Sequence, residues 1–329
     1  MALVQHNNLS SIDRVAAEGI EVCSPEKVDP ESFVLHVGFL NMMPDAAIAA
    51  TERQFLRLIG SNDKTSVYCH PFTIQGVERS SQAKVYIQHY YSDLAKIKEE
   101  HLDAIVITGA NVMQPILTKE KFWDDLQEVL IWSKENIKST MCSCLATHAA
   151  VKVFYDIDRK HMGNKCWGVF EHEVINKDHL LLADVQSSIK MCHSRFNDIS
   201  YADFLNHKVD ALITSRVAGV QLAAEKDLSM IYFQGHPEYD DISLLKEYKR
   251  EIYRYLSGDR NDYPPLPENY LDKNAIKVAE KFKQLLSNQS REIELLDQFP
   301  ESLLQKSISN PWKQSAHTIF SNWLDSIVV

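Results

Sequence analysis

The chain has 329 residues, 45% hydrophobic and 24% charged, with a formal net charge of -10 and a pI near 5.7. That composition fits a soluble globular protein burying one large core or two unequal ones, and it excludes the broad basic face that a nucleic-acid backbone requires. No run approaches the ~18 apolar residues of a membrane span, and Asp13, Arg14, Glu18 and Glu21 interrupt the start of the chain where a signal core would lie. A cytoplasmic protein with no nucleic-acid and no membrane partner is therefore expected. The six cysteines, Cys23, Cys69, Cys142, Cys144, Cys166 and Cys192, form no disulfide framework in a chain this long and read as reduced thiols.

Residues 1–30 read as a loosely held terminal segment. A buried-strand run follows at 33–40, then helical spacing over 47–59 through Ala50, Phe55, Leu56 and Leu58, and a second strand over 65–74. Asp103-Ala104-Ile105-Val106-Ile107 is a short apolar strand ending in Gly109, and Phe122, Trp123, Leu126, Val129, Leu130 and Trp132 mark a core-facing stripe on a helix over 119–136. A strand over 138–143 runs into Cys144, and 145–151 reads as helix. Beyond it, 167–175, 211–214, 217–224 and 228–233 are shorter β-rich runs expected to add antiparallel strands, and 241–256 reads as a long polar helix. Gly258, Pro264, Pro265 and Pro267 give 257–272 the character of a linker, with amphipathic helices over 274–288 and 312–329. Strands separated by helices of this length imply an α/β fold with a mostly parallel sheet covered on both faces. The chain thus divides into a terminal segment (1–30), a catalytic α/β domain (31–256), and a linker with C-terminal helices packing on it (257–329).

Cys144 carries the chemistry. A cysteine at a strand-to-helix junction places its thiol near the first free amides of the helix, whose partial positive charge favours a nucleophilic thiolate. About ninety residues on, Gln234-Gly235-His236-Pro237-Glu238 follows another apolar run and supplies an imidazole with a carboxylate two positions away. Cysteine, histidine and carboxylate together point to covalent acyl transfer. In open α/β sheets ligands collect beyond the carboxyl ends of the strands, and Gly109, Cys144 and His236 all follow expected strands. Cys142 reads as core, and His148 as a polar neighbour of Cys144 rather than a second base. Gly163 to Gly168 has P-loop spacing but is followed by Val169, and neither GxGxxG nor GxSxG occurs, so nucleotide enzymes and serine hydrolases are disfavoured. Cys142 and Cys144, even with Cys192 and His193, make a weak metal signal. No metal and no permanently bound cofactor are expected.

Several segments together carry a family resemblance: His36-Val37-Gly38-Phe39-Leu40-Asn41-Met42-Met43-Pro44, Thr51-Glu52-Arg53-Gln54-Phe55-Leu56-Arg57-Leu58, Val106-Ile107-Thr108-Gly109-Ala110, Gly168-Val169-Phe170-Glu171-His172, His193-Ser194-Arg195, Gly235-His236-Pro237-Glu238-Tyr239-Asp240 and Phe320-Ser321-Asn322-Trp323-Leu324. In order and spacing they resemble the homoserine O-acyltransferases of methionine biosynthesis, the branch with a class I glutamine-amidotransferase-like (flavodoxin-like) fold. The resemblance implies Cys144 as the nucleophile that takes the acyl group from an acyl-CoA co-substrate, His236 as general base and Glu238 as its orienting carboxylate. It further implies Arg250 as the partner of the amino acid's carboxylate, the Leu145 amide in the oxyanion hole, and a homodimer. Arg195 and Glu171 are candidates for the pocket wall, with a surface pair as the alternative.

Two departures qualify the match. Asp45-Ala46-Ala47 stands where the family carries lysine after the first-loop proline, so a positive charge expected near the acyl group is missing. Met113 occupies the position that is glycine in succinyl-specific members and glutamate in acetyl-specific ones. A bulky thioether there is expected to fill space a succinyl chain needs, which favours an acetyl donor. Alternatives are a cysteine-dependent hydrolase or amidotransferase-type enzyme, disfavoured because Cys142 and Ala146 stand where glutaminase elbows carry glycine, and an inactive member acting as a binding protein.

Overall fold

The computed structural model describes residues 2–328. One 11-stranded sheet runs through it. In chain order its strands are β1 (Leu3–Val4), β2 (Val22–Cys23), β3 (Val34–Leu40), β4 (Ser66–Phe72), β5 (Ala104–Ile107), β6 (Ser139–Ser143), β7 (Lys160–Val174), β8 (Ser188–Asp198), β9 (Asp210–Ser215), β10 (Gly219–Ala224) and β11 (Met230–Phe233). The helices are α1 (Ser10–Ala17), α2 (Ile48–Ile59), α3 (Ser81–Tyr90), α4 (Leu94–Glu99), α5 (Trp123–Asn136), α6 (Leu145–Tyr155), α7 (Tyr201–Asn206), α8 (Ser243–Leu256), α9 (Lys273–Ser287), α10 (Glu301–Gln305) and α11 (Lys313–Val328). Among the described residues no helix is long and apolar enough to cross a membrane.

Across the sheet the order is β2-β1-β4-β3-β5-β6-β11-β10-β9-β7-β8. Every neighbouring pair from β2 to β11 is parallel, and every pair from β11 to β8 is antiparallel. The parallel half is built from runs buried on both faces, because strand side chains alternate between the two sides of the sheet. Val37, Phe39, Val106, Met141 and Phe233 face one core with Phe55 of α2, Tyr248 of α8 and Trp323 of α11. Ile105, Ile107, Cys142 and Tyr232 face the other, with Leu126 and Leu130 of α5 and Ala149 of α6.

Three expectations change. Residues 2–30 are not loosely held: β1 pairs with both β2 and β4 in parallel, and Leu3, Leu9, Ile12 and Val15 are fully buried in the first core. Apolar side chains that cover an otherwise open sheet edge outweigh the usual fraying of a terminus. The stretch 257–272 is no free linker either. Glu268 donates its amide to the Trp167 carbonyl at 2.8 Å and accepts from Val169 at 2.9 Å, while Tyr263 and Leu266 pack against the core. Ala275, Phe282, Leu304 and Trp312 then extend that same core through the C-terminal helices. Finally, β8 emerges from a segment whose Cys192-His193-Ser194-Arg195 centre has no apolar run, and β11, expected as an antiparallel addition, pairs in parallel with β6 while turning antiparallel to β10.

Leu3→Ala tests the docking of the terminus. It is expected to lower the unfolding free energy by about 2–4 kcal/mol in a denaturant titration, whereas a frayed terminus predicts no measurable change.

Candidate active site

β5, β6 and β11 are neighbours in the sheet, so the loops after them meet at one rim. Phe233 pairs with Ser143 in register, and the Cys144 amide continues the ladder by donating to the Phe233 carbonyl at 2.8 Å. At Cys144 the backbone turns sharply, with φ 52° and ψ -109°, a conformation costly for a side-chain-bearing residue and held here by its surroundings. The Thr147 hydroxyl bridges the Cys142 and Phe233 carbonyls at 3.0 and 2.7 Å, fastening the turn from both strands. Leu145 is the first residue of α6, so its amide has no acceptor within the helix. A Cβ placed on Gly109 would lie 3.5 Å from the Cys144 Cβ and 3.9 Å from the Leu145 nitrogen, which puts the β5 loop beside the nucleophile.

His236 reaches the thiol through an equally constrained loop. A Cβ on Gly235 would meet the Gln221 side chain at 2.1 Å and the Cys192 carbonyl at 2.5 Å, so only glycine lets the loop press against β8 and β10. The His236 amide then donates to the Cys192 carbonyl at 2.8 Å. Its ring donates from Nδ1 to Glu238 Oε1 at 2.7 Å, leaving Nε2 for the Cys144 thiol, with which the side chain shares a hydrogen bond. Tyr239 stacks on the imidazole with ring centroids 4.2 Å apart. Burial alone pulls the His236 pKa down, but the charges of Glu238 and Cys144 and the hydrogen bonds to both more than offset it and hold the ring well above its ordinary value. The loop is anchored from below: Arg57 donates to the Glu238 carbonyl at 2.9 Å and pairs with Asp240 at 2.6 Å, and Arg53 also pairs with Asp240.

This arrangement can take a proton from the thiol, hold the imidazolium against a buried carboxylate, and offer a helix amide to an oxyanion. The model of one family, homoserine O-succinyltransferase, matches residues 2–329. The chain belongs to the homoserine O-succinyltransferase family. It is 44% identical to the homoserine O-succinyltransferase of Methylobacter tundripaludum over 330 residues, covering 99% of this chain and 93% of the relative, and the same figures hold for that of Methylococcus capsulatus. Among solved structures, a glutamine amidotransferase from Thermotoga maritima is similar with a TM-score of 0.48 and 10% identity, covering 90% of this chain and 99% of that one. The family is one of acyltransferases.

The other residues singled out in this family member fare differently. Arg250 stands on the exposed side of α8, its side chain 62% accessible and its nearest carboxylate Glu251 at 3.8 Å. Arg195 is corrected: it is buried and bonded internally, donating to the Ala218 and Asn197 carbonyls and to His193 Nδ1 and pairing with Asp198 at 2.9 Å, so its donors are not available to a ligand. Met113 is 78% exposed and stands at the rim of the site rather than filling it. Its amide and that of Gln114 donate to Glu120 at 2.7 and 2.6 Å. Met42, Pro44, Ala110, Met113, Glu120 and Phe122 border a cavity of about 430 Å³ next to Gly109. A larger space of about 650 Å³ lies at the opposite ends of the strands, around Lys64, Lys138 and Leu228, away from the nucleophile. His148 is a neutral structural group: its Nε2 bonds Gln234 Oε1 at 3.1 Å, and burial pushes its pKa down to about 3. Asp45 is covered by a buried cation, since Arg79 pairs with it at 3.4 Å and also donates to the Asn41 and Met43 carbonyls. A positive charge therefore does sit under the first loop.

Three residues near the site, Glu247, Lys165 and Arg159, carried no signal in the sequence. The Glu247 carboxylate accepts from Tyr239 at 2.6 Å and Ser194 at 2.6 Å and pairs with Lys165 at 3.0 Å. Desolvation raises its pKa, but Lys165, Ser194, Tyr239 and Arg250 together lower it below the ordinary carboxylate value. Lys165 arrives on a bulge of β7 opened by Gly163 at φ 79°, and Arg159 just before β7 lies within electrostatic reach of Cys144. No linear motif marks any of these because their neighbours come from other strands.

Because the folded pKa of His236 is raised, the charged ring contributes stability below its unfolded value of 6.5, and that contribution is lost as pH rises through the folded value. Glu238→Gln removes the main opposing charge. It is expected to lower the His236 pKa by at least about one unit, about 1.4 kcal/mol, in an NMR titration of the labelled ring, with kcat down about 10²-fold or more.

Proposed function

We propose that this protein transfers an acyl group from an acyl-CoA to the side-chain hydroxyl of homoserine through an acyl-cysteine, with succinyl as the acyl group. The observation that carries the reading is the Cys144, His236 and Glu238 chain at adjoining strand ends. His236 takes the thiol proton, and the Cys144 thiolate adds to the thioester carbonyl while the Leu145 amide faces the resulting oxyanion. The intermediate collapses, the protonated imidazole gives its proton to the departing CoA sulfur, and the acyl group remains on Cys144. Homoserine's hydroxyl then loses its proton to the same imidazole, adds to the acyl-cysteine and leaves as the ester, and the ring returns the proton to the thiol. Thioester and acyl-cysteine are chemically alike, so the first half-reaction is nearly balanced and the enzyme works by ping-pong kinetics.

The donor preference departs from the acetyl reading of the sequence. That reading rested on Met113 filling the acyl space, and an outward-facing Met113 excludes nothing. The curated relatives carry succinyl in their names. For the amino acid, Arg250 and Lys165 are the cations flanking Glu247 at this rim, a pattern suited to a zwitterion whose carboxylate meets guanidinium or ammonium and whose ammonium meets carboxylate. The protein acts in the cytoplasm as a homodimer and needs no resident cofactor in this scheme.

Mass spectrometry of protein mixed with succinyl-CoA and no acceptor is expected to show one succinyl adduct on Cys144, absent in Cys144→Ala. An unmodified Cys144 with every common acyl-CoA overturns the transferase reading, and ammonia released from glutamine would replace it with an amidotransferase one. Arg250→Ala is expected to raise the KM for homoserine about tenfold or more with little change in the donor's KM, read by release of free CoA thiol.

A further inference from the structure

We propose that Arg159 is the specificity-determining residue for the donor, binding the distal carboxylate of a dicarboxylic acyl group carried on Cys144. This rests on the succinyl reading above and assigns it a residue. After α6 the chain reverses at Asp156, which adopts a left-handed conformation, buries Ile157 and enters β7 at Lys160. Arg159 lies in that reversal: Lys160 next to it pairs with Asp198 in the β7–β8 ladder, and Ile199 and His148 both bond Gln234 Oε1, at 2.8 and 3.1 Å, so the chain returns to the first turn of α6 with Arg159 within electrostatic reach of Cys144, His148 and Glu120.

Of the other arginines around the site, Arg250 is assigned above to the amino acid and the rest are occupied. Arg53 and Arg57 pair with Asp240, Arg79 with Asp45 and two carbonyls, and Arg195 with Asp198 and two carbonyls. Among the described residues Arg159 has no hydrogen bond and no ion pair, although it is half-buried. Glu120, the acid that its charge feels, is already engaged by the Met113 and Gln114 amides and borders the cavity beside Gly109. A partly desolvated guanidinium that keeps all its donors unsatisfied is poised for an anion that arrives with the substrate.

With ordinary bond lengths, a succinyl group on Cys144 puts its free carboxylate about 5 Å from the sulfur, beyond the reach of an acetyl group and toward the charged groups that act on Cys144 from a distance, Arg159 among them. An acetyl group has nothing to offer Arg159 and leaves it bare.

The experiment compares succinyl-CoA with acetyl-CoA as donors, at saturating homoserine, for the parent, Arg159→Gln and Arg159→Lys, with thiol release as readout. Both donors carry the same CoA phosphates, so only the acyl carboxylate differs. The ratio of kcat/KM for succinyl-CoA to that for acetyl-CoA is expected to fall at least 30-fold in Arg159→Gln and to recover in part in Arg159→Lys, which keeps the charge without the fork. Thermal midpoints near the parent's are expected for both variants, because the side chain bonds nothing in the protein. An equal loss for both donors assigns Arg159 to the CoA phosphates or to structure and overturns the proposal, as does an unchanged ratio. A parent that prefers acetyl-CoA overturns the succinyl reading itself and this inference with it. A parent that prefers succinyl-CoA while Arg159→Gln keeps the preference overturns this inference alone.

Discussion

The site depends on one constraint: β6 and β11 lie side by side and in parallel, with Ser143 opposite Phe233. Strands in a sheet are about 4.8 Å apart, so two chain segments about ninety residues apart in sequence leave the sheet at the same level, one into the Cys144 turn and the other into the Gly235-His236 loop. The amide of Cys144 is itself the last rung of that ladder. Cys144 and His236 are therefore placed by backbone hydrogen bonds in the middle of the sheet, the most rigid part of the fold, instead of by flexible side-chain packing.

Around that pair the protein has arranged successive layers of support. Thr147 holds both strand ends, Glu238 fixes the ring, Arg57 holds the backbone of Glu238, and Asp240 holds Arg57 and Arg53. Arg57 and Asp240 are buried charges, and burying charges is costly unless they are paired and hydrogen-bonded. Here each has its partner, and the ion cluster links α2 to the loop after β11. The terminus joins the same construction, because Glu52 of α2 accepts from Ser11 of α1 at 2.5 Å and from Tyr91 at 2.5 Å, and Tyr91 in turn meets Asn41 at the start of the first loop. A segment that reads as loosely held in sequence thus bears indirectly on the geometry of the rim.

Electrostatics divides the rim in two. On the β8 and α8 side, Lys165, Glu247 and Arg250 form a mixed-charge group suited to an amino acid. On the α6 side, Arg159 forms no ion pair among the described residues, and Glu120 acts on it only from a distance. In the proposed scheme Cys144 takes the acyl group with one of these sides facing the donor and passes it on with the other facing the acceptor.

Much of this was legible in the chain itself. Apolar runs of strand length separated by amphipathic helices pointed to the α/β class, and Cys144, His236 and Glu238 stood out because each follows a strand or sits two residues from another of the three. Local patterns of that kind survive in a linear sequence because they are made by neighbours along it. What the linear order could not hold was decided by packing across the sheet. The docking of Leu3 at the edge, the internal bonding of Arg195, the outward Met113 and the bare guanidinium of Arg159 each depend on residues tens or hundreds of positions away. An arginine looks the same in sequence whether its partner is a carbonyl, a carboxylate or a substrate. Only tertiary contacts, which set its burial and what stands opposite, distinguish the three.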